Sequence, residues 1–224
     1  MTVKALIAGG GAALAVFLLL YFPDQNDGSG AALGAGAALI AVPLGAAALA
    51  TQRSLPKRSI VEHCRFVIIA MGLGAGLGLA NLAANYGMAM LVPDIRDQMI
   101  TRWAKFHAWS VVIAGPIMEE IAFRLVLLSA VAWVAARVTD NRRAIVALAL
   151  GVSSLIFGVA HIGYGGVDHP VYMIGMAAKS AAAGLLLGWV FWHRGLPYSI
   201  VCHSTANAIH LALMPALFSV STSG

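Results

Sequence analysis

The chain has 224 residues, 60% of them hydrophobic and 10% charged, with a mean hydropathy of +0.86. That balance excludes an ordinary water-soluble domain, a disordered chain and a nucleic-acid-binding protein, since so apolar a chain has too little polar surface to face water. The net charge of +5 is only 14 basic minus 9 acidic side chains, and the basic ones cluster in short segments between apolar runs, as cytoplasmic loops do.

A helix that crosses a bilayer needs about 20 apolar residues. Seven runs qualify, at 5–22, 31–51, 66–92, 107–136, 144–161, 171–192 and 197–218. The expected fold is therefore all-α, one polytopic transmembrane bundle of about seven spans forming a single domain over 1–224. The first run ends at Tyr21-Phe22-Pro23 without a small-residue cleavage site, so it is expected to be a retained span rather than a secretory signal. If the spans alternate, Lys4, Arg53, Lys57, Arg58, Arg137, Arg142, Arg143 and Arg194 share one side, which places the N-terminus in the cytoplasm.

Between the third and fourth runs, the polar and aromatic stretch from Arg96 to Phe106 predicts a short helix lying at the membrane interface. Gly72, Gly74, Gly76 and Gly78 form two overlapping small-xxx-small patterns that let helix backbones approach closely, with internal packing the expected use. Cys64 and Cys202 have no metal-ligand spacing and are too few for a disulfide framework.

An ionisable side chain inside a span costs about 2.5–3.5 kcal/mol on insertion scales, so each one needs a reason. Most of the acids lie in loops or at span ends, but Glu119 and Glu120 sit near the middle of the fourth run, within Gly115-Pro116-Ile117-Met118-Glu119-Glu120-Ile121-Ala122-Phe123-Arg124. Arg124 is one helical turn beyond Glu120 and can pair with it, which leaves Glu119 as a desolvated carboxylate suited to general acid/base work. Pro116 removes a helix hydrogen bond just before the pair and exposes a carbonyl to water or substrate.

Two further spans carry polar residues at helical spacing: Phe157 with His161, and His203 with Asn207. Each pattern alone is compatible with interhelical hydrogen bonding, as is a Glu-Glu-Arg brace. Lys179, inside the sixth run, either pairs with Glu120 or snorkels, and His210 is too far along its helix from His203 to share a metal. Straight perpendicular spans would leave about 15 Å of depth between His161 and His203.

Glu119-Glu120-xxx-Arg124, Phe157-xxx-His161 and His203-xxx-Asn207, in this order on successive membrane segments, resemble the signature of the CAAX-processing and bacteriocin-processing (CPBP) family of intramembrane proteases. The resemblance covers about 107–215, which would be the protease-like core. It implies that Glu119 activates a water molecule and that His161 helps to hold it. His203 and Asn207 would stabilise the tetrahedral oxyanion, with Glu120, Arg124 and Phe157 in support.

The expected activity is endopeptidase cleavage of a membrane-associated protein or peptide in or near the lipid bilayer, in a multi-pass protein of a bacterial inner membrane. No organic cofactor is expected, and metal-free catalysis is favoured over a zinc site built from Glu119, His161 and His203. Two alternatives stay open: a catalytically inactive scaffold or chaperone within a membrane complex, and an ion or proton relay through the same residues.

Overall fold

The computed structural model describes residues 59–103, 107–162, 167 and 169–219. The expected spans at 5–22 and 31–51, and the N-terminus whose side was read from charge, lie outside these residues. Every regular element among the described residues is helical.

Helix α1 (Ile60–Leu91) begins earlier than the apolar run at 66. The reason is a capping box: Glu62 donates its backbone N–H to Ser59 Oγ at 3.2 Å, and the Glu62 carboxylate accepts from the Ser59 N–H at 2.9 Å. After extended Val92, α2 (Pro93–Trp103) opens on a proline whose missing N–H costs nothing at a first helical position. It is the short helix expected from the stretch near Arg96. Its Ile95 and Met99, one turn apart, are buried against α1 and residues that include Tyr172 and Met214.

Helix α3 (Ser110–Val138) is continuous but unevenly wound. It runs as a π-helix over Ser110–Ala114, α-helix over Gly115–Glu119, a second π-helix over Glu120–Leu128 and α-helix to Val138. Helix α4 (Arg142–Ala160) starts at Asn141, whose Oδ1 accepts the N–H groups of Arg143 and Ala144. Helices α5 (Pro170–Arg194) and α6 (Leu196–Ser219) are joined by Gly195 alone, at a φ of 102° that suits a residue without Cβ.

The bundle is held by two principal pairs, α1 against α6 and α4 against α5. In α1, Gly74 and Gly78 touch α6 so closely that a Cβ at either would meet the backbone carbonyl of Cys202 or Ala206. Gly72 and Gly76 meet nothing among the described residues, so among these the packing stripe is Gly74 and Gly78. Large apolar side chains such as Ile68, Leu79, Leu155 and Ile174 point outward, as they do where the surrounding solvent is hydrocarbon.

By length and composition, α1, α3, α4 and α5 are each able to cross a membrane. Helix α6 is as long, and carries His203, Ser204, Thr205, Asn207 and His210 among its apolar residues.

Candidate active site

The acid pair of α3 is buried, Glu120 completely and Glu119 to 8% exposure. Arg124 is also completely buried; its Nε lies 3.4 Å from Glu120 Oε2, the one-turn pairing expected from sequence. Its guanidinium carbon stands 4.6 Å from the centre of the Phe157 ring, a cation–π contact that holds the fork in place. The same Phe157 ring packs on Phe123, His161 and His203, so the motif phenylalanine ties three polar helices to one another.

The sequence offers Glu119 no cationic side chain four residues to either side on its own helix; the fold supplies two imidazoles from others. His161 Nε2 and His203 Nε2 both lie 3.7 Å from Glu119 Oε2. His203 turns its other nitrogen, Nδ1, to Glu120 Oε1 at 3.0 Å, so one imidazole bridges both carboxylates. In a regular α-helix, neighbours point about 100° apart, the separation expected here. Both nevertheless reach His203, one at each ring nitrogen, where the helix passes into π geometry at Glu120.

His161 ends α4 and folds back by one turn, its Nδ1 lying 2.7 Å from the Phe157 carbonyl. A carbonyl only accepts, so Nδ1 carries a proton and donates it, and Nε2 faces Glu119. This backward fold, together with the course of α6 along α1, closes the depth gap that straight perpendicular spans would leave between His161 and His203.

Asn207 is positioned by a different device. In the first π turn, Gly115 N–H bonds to Ser110 carbonyl, five residues back. The next carbonyl in that pattern, Val111, would need the N–H of residue 116, which is a proline. Asn207 donates to that carbonyl from Nδ2 at 2.8 Å, and its amide has a second hydrogen left over. The carbonyl exposed by Pro116 is therefore held by a side chain of α6.

These groups line a cavity of about 70 Å³, enough for a few water molecules. Glu119, Phe157, His161, His203 and Asn207 all border it, joined by Lys179, Asn81 and His210. Glu120 and Arg124 stand behind it. Lys179 does not take the pairing with Glu120 that sequence left open: Glu120 is shared between Arg124 and His203. Asn81 and Asn85 of α1 were not singled out, although an amide pair one turn apart in an apolar helix is a readable signal. Asn85 is fully buried, with Nδ2 3.2 Å from His210 Nε2.

Glu119, His161 and His203 have the donor chemistry of a zinc site, but among the described residues no group of three His, Cys, Asp or Glu is disposed to hold a metal ion.

Neither the curated proteins nor the solved structures include a match to this chain. Residues 101–209, a little under half the chain, match the family described as Type II CAAX prenyl endopeptidase Rce1-like. Together with four helices apolar enough to cross a bilayer, that match makes this an integral membrane protein and points to a protease. The segment that carries every motif residue thus matches the Rce1-like CAAX endopeptidases and bears out the CPBP resemblance read from the sequence.

Proposed function

We propose that this chain is an intramembrane endopeptidase with Glu119 as its base, hydrolysing a peptide bond of a membrane-associated protein or peptide. The observation that supports it most is the placement of Glu119 Oε2 3.7 Å from two imidazoles of other helices, at the edge of a small polar cavity. Peptide hydrolysis needs an activated nucleophile and donors directed at the oxygen that becomes charged.

In this reading, water sits against Glu119 and His161 Nε2. Glu119 takes a proton as the water oxygen bonds to the scissile carbonyl carbon. The carbonyl electrons move to oxygen, which is stabilised by the remaining Asn207 N–H and by His203. His203 lies between two carboxylates, with Nε2 towards Glu119 and Nδ1 towards Glu120, so the pair fixes the direction of its ring. Collapse of the intermediate breaks the C–N bond, and Glu119 returns its proton to the leaving amine. Glu120 and Arg124 anchor His203 and the helix beneath it.

No metal has a step here. The protease core spans about 107–215 of a single membrane domain, and Arg137, Arg142 and Arg143 mark its cytoplasmic side, as in a bacterial inner-membrane protein.

The test compares membrane-peptide and C-terminal processing in cells that carry the native gene or Glu119→Gln. Loss of a general base lowers the rate by about 10²–10⁴, so uncut precursors accumulate in the variant. Identical processing in both strains rejects the enzyme and favours a scaffold.

A further inference from the structure

Lys179 belongs to none of the motifs, yet it borders the same cavity as Glu119, His161, His203 and Asn207. We propose that Lys179 is a substrate-binding cation that receives a carboxylate of the peptide, setting the cleavage point at a short distance from that negative charge.

Nine residues into α5, Lys179 lies about 14 Å from the Pro170 end, farther than a four-carbon stem can snorkel to an interface. Its charge must therefore be met inside the protein. Among the described residues it forms no ion pair with a carboxylate, and Glu120 is committed to Arg124 and His203. Glu119 is the only carboxylate among the cavity's described lining residues, and it faces the two imidazoles. Lys179 is the only Lys or Arg in that lining, and Ser180 and His210 beside it add polar surface. An ammonium with no carboxylate counter-ion among the described residues, next to a hydrolytic centre, matches an anionic group on the substrate. The free C-terminus and an acidic side chain share that chemistry.

This proposal takes its meaning from the hydrolytic reading, but the experiment reads binding alone, so the two fail separately. The full chain carrying Glu119→Gln, in nanodiscs, is titrated with dansyl-Ala-Leu-Leu-Leu as the free acid and as the C-terminal amide. A third peptide is the amide with Glu in the last position. The free acid binds about tenfold tighter than the plain amide. Lys179→Met removes the difference and Lys179→Arg keeps it. If the Glu-containing amide binds like the free acid, a side-chain carboxylate serves as well; if it binds like the plain amide, the C-terminus itself is recognised. Equal binding of acid and amide to the lysine-bearing chain, a preference that survives Lys179→Met, or no binding of any peptide overturns the proposal. The acid–amide comparison decides even if Lys179→Met does not fold.

Discussion

Asn207 of α6 donates a side-chain N–H to the Val111 carbonyl of α3, over 2.8 Å, and that carbonyl is available because residue 116 is a proline. The bond crosses from the helix of the acid pair to the helix of His203, so a backbone irregularity on one sets the direction of an amide on the other. In Pro116→Ala the Val111 carbonyl regains a helical donor and competes for Asn207. In the proposed reaction kcat falls about tenfold with KM little changed, and Asn207→Ala costs less in that background than in the native one. Purely additive effects in the double-mutant cycle would remove Pro116 from the positioning of Asn207.

Glu120 and Arg124 are both completely buried. Removing one partner strands the other's charge, so Arg124→Met and Glu120→Gln each cost about 3–5 kcal/mol, whereas the double replacement recovers much of it. Thermal unfolding of the purified protein in detergent reads all three, and a double variant as unstable as the sum of the singles would contradict the pairing.

Phe157 touches the Arg124 guanidinium and packs on both imidazoles. Phe157→Leu keeps an apolar group but loses the π face, at a cost of about 1–2 kcal/mol. The same loss of melting temperature in an Arg124→Met background would show that the ring and the cation do not interact.

The two glycine stripes of α1 separate cleanly. Gly74→Ala drives a methyl into the Cys202 carbonyl and destabilises the fold by about 1–3 kcal/mol. Gly72→Ala meets open space among the described residues and is neutral or slightly stabilising, because alanine favours a helix by about 1 kcal/mol over glycine. Melting curves of the two single variants decide it, and equal shifts would refute the packing of α1 on α6.

Apolar run length was enough to find α3 to α6 to within a few residues, since a span must satisfy its backbone internally and its apolar length is written directly in composition. Motif spacing, read with the family resemblance, named Glu119, Glu120, Arg124, Phe157, His161, His203 and Asn207 as candidates, because one-turn separations are a local property of a helix. The start of α1 needed a cap instead, formed by Ser59 and Glu62 ahead of the apolar run.

Which groups face one another was decided only by tertiary structure. Ideal helix geometry places His161 and His203 at different depths, yet both stand 3.7 Å from Glu119 Oε2. Distances between helices depend on departures from regularity, namely π turns, a proline without a donor and a ring folded back on its own helix. Such departures arise where several segments compete for the same hydrogen-bonding groups, and no single segment states the outcome.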